Sequence, residues 1–381
     1  MDFSWSNEQI AFKEAVIKFA QKELNNDLVE LDKKGEFPWD SWRKCAEFGI
    51  HGLPIPGEYG GSNADILTTM LAMEGLGYGC KDNGLIFAIN AQMWSIELPI
   101  LTFGTEEQKR NYLPKLCSGS YIGAHGMTEP GSGSDAYSLE TRAERGRGYY
   151  ILNGTKMFVT NAPVADLALV FANVDRAKGI GGITAFLVEK GFPGLSVSRE
   201  IEKMGLRTSV MGEVILDNCE VPVENRLGAE GAGVAIFSSS MEWERSCILA
   251  SHLGAMERQL ETCIKYAKER RQFGQQIGKF QSVANKIVDM KVRLETARLI
   301  LYKVAWLKKI GQKPTMEAAI AKLYLSECFV QSSLDAIQIH GGYGYMTEFE
   351  VERDLRDSIG GRIYSGTSEI QKVIIARWLG L

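Results

Sequence analysis

Apolar residues in the first third of the chain recur at helical spacing. Phe12, Val16, Phe19, Ala20 and Leu24 fall on one stripe between charged neighbours, the pattern of a helix with one buried face. The opening MDFSWSNEQIAFKEAV reads as such a helix, and IPGEYGGSNAD breaks the pattern with Pro and Gly. Over residues 121–228 the texture changes. YYILNGTKMFVTNA, LALVFANVD, GITAFLVEK and GEVILDNCEVP are short runs rich in β-branched and aromatic residues, bounded by Gly, Asn, Asp and Pro. They predict antiparallel strands. The helical period then returns in IVDMKVRLETARLILYKVAWLKKI and EAAIAKLYLSECFVQSSLDAIQIH. The expected class is α+β, mainly α. A helical domain spans 1–120, a β-domain 121–228 and a helical bundle 229–381.

Composition narrows the function classes. The chain has 381 residues and a formal net charge of −4, so no basic surface invites nucleic acid. The N-terminus lacks a basic segment followed by an apolar run, and no segment is expected to span a membrane. Seven cysteines form no CxxC pair, and the four histidines are scattered. Disulfides and a metal centre are therefore not expected, and a reducing cytoplasm fits.

TEPGSGSD (128–135) concentrates special backbone chemistry. Gly131 and Gly133 permit tight turns, Thr128, Ser132 and Ser134 supply hydroxyls, and exposed N–H groups in such a loop hold anions. No GxGxxG opens a helix, so a nicotinamide-type dinucleotide site is not expected. In KMFVTNA (156–162) a strand places Phe158 and Thr160 on one face and Val159 on the other. A ring and a hydroxyl on one strand face suit a flat heterocycle.

At these residues the chain resembles the acyl-CoA dehydrogenase superfamily. TEPGSGSD stands where the family has TEPGAGSD, and KMFVTN where it has KMWITN. GTEEQKRNYLPKL, KMGLRTS, ERRQFGQQIGKFQ, DAIQIHGGYGY and GTSEIQKVIIAR follow in the family's order. The resemblance implies a helical domain, a β-domain and a four-helix bundle, with FAD as cofactor and a homotetramer as assembly. By motif, Met127, Thr128 and Ser134 match contacts to the isoalloxazine and pyrophosphate. Phe158 and Thr160 match residues beside the flavin ring. Arg270, Gln272 and Phe273 match residues that reach the FAD of a neighbouring subunit. Gln338, Thr367 and Glu369 match further FAD contacts, although the family often has Gln where Glu369 stands.

Removing the α proton of a thioester needs a placed base, and a buried carboxylate with a raised pKa suits that task. Much of the family carries this base as the Glu of YEGT. Here the segment reads IYSGT, with Ser365 at that position. A serine hydroxyl is too weak a base unaided. A minority of the family, isovaleryl- and long-chain-type enzymes among them, carry the base in an ER pair on a bundle helix. MEWERSCILASHLGAMERQLE holds such a pair, Glu244 and Arg245. Glu244 shares a stripe with Met241, Ile248 and Ala255. Glu242 is a rival that could instead pair with Arg245 at i, i+3. Glu242, Arg245 and Ser365 are expected to line the substrate site beside Glu244.

These segments are most similar to a narrower branch that oxidises L-proline held as a thioester on a peptidyl carrier protein. That likeness implies a phosphopantetheinylated carrier, or a CoA thioester, as partner. Either an electron-transfer flavoprotein or oxygen would receive the electrons. Three rivals stand beside this reading: a short branched-chain acyl-CoA dehydrogenase, a non-catalytic FAD-binding relative, and an enzyme of nitroalkane oxidation or desulfination.

Overall fold

The computed structural model describes residues 4–381. The first three residues of the expected opening helix lie outside the described part. Seven helices come first: α1 (Asn7–Glu23), α2 (Leu28–Lys34), α3 (Trp39–Glu47), α4 (Ile66–Gly79), α5 (Asn83–Gln92), α6 (Leu98–Phe103) and α7 (Glu106–Cys117). Helix α1 starts where Ser6 and Gln9 cap each other reciprocally. Its stripe points inward: Val16, Ala20 and Leu24 are buried, with Phe12 and Phe19 packed at the margin. Between α5 and α6 the chain makes a π-turn, Met93–Glu97.

The stretch Asn83–Phe103 bears on the expectation that no segment spans a membrane. It is long and apolar enough to cross a membrane, but 83% of its most apolar window is buried inside the protein. It is a core helix.

Eight strands form the middle sheet: β1 (Gly123–Gly126), β2 (Arg142–Arg145), β3 (Tyr149–Thr160), β4 (Leu167–Asn173), β5 (Ile183–Glu189), β6 (Leu195–Val197), β7 (Met211–Pro222) and β8 (Arg226–Leu227). The order is β6-β7-β3-β2-β4-β5-β8, with β1 alongside β4. The sheet is not wholly antiparallel as expected. β1 runs parallel to β4, from Gly123 opposite Leu167 to Gly126 opposite Val170, and β2 meets β4 in parallel as well. No tight hairpin joins these strands; a long excursion through TEPGSGSD separates β1 from β2, so nothing local forces reversal.

The C-terminal part comprises α8 (Gly233–Cys247), α9 (Ala250–Glu269), a short hairpin of β9 (Arg271–Gln272) and β10 (Gln275–Gln276), α10 (Gln281–Lys309), α11 (Thr315–His340), α12 (Val351–Gly360) and α13 (Ser368–Trp378). Helix α4 crosses α9 at two glycines. A Cβ on Gly77 would lie 2.0 Å from the Ser251 carbonyl oxygen, and one on Gly254 would lie 2.0 Å from that of Glu74. The crossing is also tied by charge. Buried Glu74 accepts from Lys13 of α1 at 2.8 Å, and from Arg298 and Tyr302 of α10 at 3.1 and 2.6 Å. Where the three parts meet, Asp357 of α12 accepts from Asn83 at 3.0 Å and from the Leu206 amide at 2.6 Å. Burial raises its pKa to about 7.

Candidate active site

Helix α8 carries the stripe expected of it. Met241, Glu244 and Ile248 are all buried, and Glu244 is only 9% exposed. Its carboxylate accepts hydroxyl hydrogen bonds on both oxygens. Ser365 donates to Oε1 and Ser95 to Oε2. Burial raises the pKa of Glu244. The Ser365 and Ser95 hydroxyls oppose that rise, as do the charges of Arg245 and Lys322.

Ser365 reaches the carboxylate from the loop after α12. Its backbone is left-handed, at φ 54°, a conformation that costs a residue with a Cβ about 1–2 kcal/mol. The loop is held there from both sides. The Ser365 carbonyl accepts from Arg245 Nε at 3.1 Å and from Gln371 Nε2 at 3.3 Å. Gln371 also donates to the Gly366 carbonyl at 2.8 Å. Next to Ser365, the Tyr364 hydroxyl meets His252 Nε2 at 2.9 Å, and its ring packs on Phe87. Lys322 of α11 is fully buried with its Nζ 6.0 Å from the centre of that ring. Among the described residues its amine has no hydrogen-bond partner. Burial, followed by the charge of Arg245, lowers its pKa to about 8.

Glu242 does not make the pair with Arg245 that its i, i+3 spacing offered as the alternative to a role in the site. Its carboxylate takes Lys308 of α10 at 2.9 Å and Thr315 of α11 at 3.1 Å. Two positions along a helix turn a side chain about 200° away, so Glu242 and Glu244 serve different faces. Lys308 also sits 3.9 Å from the centre of the Trp243 ring, which stacks on Trp94.

The sheet supplies a second group of predicted residues. Met127 is buried at the end of β1, and the Thr128 carbonyl accepts from the Met157 amide at 2.7 Å. TEPGSGSD is anchored by its glutamate: Glu129 pairs with fully buried Lys156 at 2.6 Å and takes the Thr141 amide at 3.0 Å. This ion pair was not foreseen, since neither residue signals its partner in sequence. A tight turn at Pro130-Gly131 is closed by reciprocal bonds, the Glu129 amide to the Ser132 carbonyl at 2.9 Å and the Ser132 amide to the Glu129 carbonyl at 3.1 Å. It needs no left-handed glycine, and a Cβ on Gly131 or Gly133 would meet no described atom within 4 Å. Their backbone is bare and open, with Ser134 exposed beside it. In β3 the ladder slips by one residue between Lys156 and Val159, and Phe158 takes φ 55°. That bulge holds the Phe158 ring 55% exposed while Val159 is buried. Thr160 is half-buried.

The third group stands apart. Arg270, Gln272 and Phe273 lie on the α9–α10 hairpin, all exposed, with Phe273 at 92%. The Arg270 guanidinium lies 5.4 Å from the Tyr343 ring centre. Gln338 is exposed on α11 and Glu369 on α13, while the Thr367 hydroxyl caps α13 by accepting from the Ile370 amide. One chain therefore brings together Glu244, Arg245 and Ser365 but leaves the hairpin residues exposed, with Arg270 over Tyr343 and Phe273 edge-on to Phe280.

This donor set fits FAD. An exposed ring, an open glycine loop and an exposed guanidinium match a flat heterocycle and a pyrophosphate. His125 Nε2, buried near the end of β1 and without a hydrogen-bond partner among the described residues, is a further polar atom left for a ligand or water.

Comparison with known proteins decides the family. Family models match end to end: acyl-CoA dehydrogenase N-terminal domain over 6–120, middle domain over 124–219 and C-terminal domain over 231–380. The chain belongs to the acyl-CoA dehydrogenase family. Within the family, it is 47% identical over 382 residues to an L-prolyl-[peptidyl-carrier protein] dehydrogenase of Pseudomonas fluorescens, covering 100% of both chains. Among solved structures it is similar to the prolyl acyl carrier protein oxidase AnaB. That match has TM-score 0.98 and 57% identity and covers 99% of this chain and 100% of the other. PigA with FAD and proline matches with TM-score 0.97 and 43% identity over 100% of both chains.

Proposed function

We propose that this protein is an FAD-dependent dehydrogenase of acyl thioesters, and that its substrate is an L-prolyl group carried on the phosphopantetheine arm of a peptidyl carrier protein. The observation that carries the chemistry is the buried Glu244 carboxylate, met by Ser365 from the loop where the wider family carries its base. Glu244 takes the α proton, and its raised pKa makes it a stronger acceptor than a solvated carboxylate. Arg245 holds the Ser365 carbonyl and so fixes the loop. FAD, when bound, supplies the acceptor for the hydride that leaves the β carbon. Phe158 and Thr160 would flank its ring, Met127, Thr128 and Ser134 its middle, and Arg270, Gln272, Phe273, Gln338, Thr367 and Glu369 its remaining length.

The likeness to prolyl-carrier enzymes supports the substrate. The exposed apolar residues of the hairpin, and Val288, Val292 and Leu299 of α10, support a homotetramer in which each hairpin meets another chain. The division into domains 1–120, 121–228 and 229–381 is part of the same proposal. The seven cysteines are free thiols, which suits a reducing cytoplasm. The deciding experiment mixes purified protein with prolyl-carrier protein, free L-proline and a panel of acyl-CoAs and follows loss of flavin absorbance. Reduction by the prolyl carrier alone is expected. Preferential reduction by a short branched acyl-CoA would move the assignment to that substrate. Released electrons pass to an electron-transfer flavoprotein or to oxygen, and turnover with each acceptor tells them apart.

A further inference from the structure

We propose that Ser95, at the π-turn between α5 and α6, is a positioning residue that fixes the Glu244 carboxylate and holds it in its ionised form. The proposal rests on Glu244 being the base. Ser95 is 1% exposed, and its hydroxyl donates to Glu244 Oε2. The wider turn is what aims it. The Leu98 amide bonds back to the Met93 carbonyl five residues earlier, so side chains in this turn point where a regular α-helix would not send them. Ser365 donates to the other oxygen from the far side of the pocket. A donor on each oxygen fixes the plane of the carboxylate. It still leaves lone pairs free, because an ionised carboxylate accepts at about four sites.

The two clamps are unequal in kind. Ser365 sits on a loop held by Arg245 and Gln371, whereas Ser95 belongs to a core helix of the N-terminal part. Docking of that helix against α8 therefore sets the base. Around Glu244 the charged and titratable groups are Arg245 on its own helix, Lys322 on α11 and Tyr364 on the loop, with His252 of α9 behind Tyr364. Glu97 of the same π-turn is engaged elsewhere, with Gln92 at 3.0 Å. Hydroxyl donors favour the charged form and oppose desolvation, so removing one moves the midpoint of Glu244 upward.

The test is an isotope-edited infrared titration of the FAD-loaded enzyme. The Glu244 carboxylic band is assigned by its loss in Glu244→Gln. In Ser95→Ala the midpoint is expected to rise by about one pH unit or more, a tenfold or larger loss of the ionised form at a pH well below it. The acid limb of flavin reduction by prolyl-carrier protein should move by the same amount, with FAD content and KM for the carrier unchanged. Ser95→Cys, a weaker donor of similar shape, should fall between, and it decides the matter if Ser95→Ala does not fold. An unmoved midpoint overturns the proposal, and so does a loss of FAD or of melting temperature without a shift. Either result would leave the role of Glu244 intact. That role fails separately if Glu244→Gln reduces its flavin at the wild-type rate.

Discussion

Glu244 lies inside one chain with all its supports present, whereas Arg270, Gln272 and Phe273 stand on an exposed hairpin with Phe273 92% open. Helix α8, the π-turn and the loop after α12 converge on the carboxylate from distant parts of the sequence. The hairpin has ring contacts from the same chain, Tyr343 against Arg270 and Phe280 against Phe273, but its side chains stay exposed. The contrast separates two jobs. On the proposed reading, proton removal would be built by the fold of a single subunit, while retention of the long cofactor would draw on a surface that a single subunit leaves exposed.

Glu244→Gln should break the first side of this comparison and spare the second. It keeps shape and removes basicity, so flavin reduction is expected to fall about 10²–10⁴-fold with FAD content unchanged, as read by single-turnover absorbance. Arg270→Ala should do the reverse. Loss of a charge-assisted fork is expected to weaken FAD retention about 10- to 100-fold. Equilibrium dialysis measures it, and chromatography should show weakened assembly; full occupancy with intact assembly would place Arg270 outside the FAD site.

Two smaller effects sharpen the boundary of the pocket. Glu242→Gln leaves the buried Lys308 amine without its ion partner. A loss of about 1–3 kcal/mol of stability is expected, with flavin reduction close to wild type. A large fall in that rate would return Glu242 to the site. The least effect concerns Glu97, which burial pushes up to about 8 from an ordinary 4.5. Its folded pKa is raised, so its contribution to stability is full below about pH 4.5 and is lost as pH rises through about 8. Melting temperature should therefore fall more steeply across that window in the wild type than in Glu97→Gln. Parallel curves would show that Glu97 does not titrate there.

Much of this was legible in the chain. The inward stripe of α8 and the strand runs follow from short-range periodicity, which the sequence carries directly. Glu244 could be singled out because Ser365 stands where a carboxylate is usual. Ser95 could not. Its aim depends on one extra residue in a helical turn, and it meets Glu244 149 positions away. Lys308 took Glu242 from Arg245 for a similar reason: the i, i+3 neighbour was visible, and the partner from α10 was not. The parallel pairing of β1 and the bulge at Phe158 likewise depend on neighbours brought in by the fold.

The crossing of α4 and α9 at Gly77 and Gly254 has a consequence for redesign. Backbone rests on backbone there, with a Cβ excluded at 2.0 Å on each side. The π-turn after α5 carries Ser95, and α8, just before α9, carries Glu244. The crossing itself contains no side chain, so exchanging the pocket walls leaves it untouched. New acyl groups can be sought by altering those walls while Gly77 and Gly254, which admit nothing larger, are left as they are.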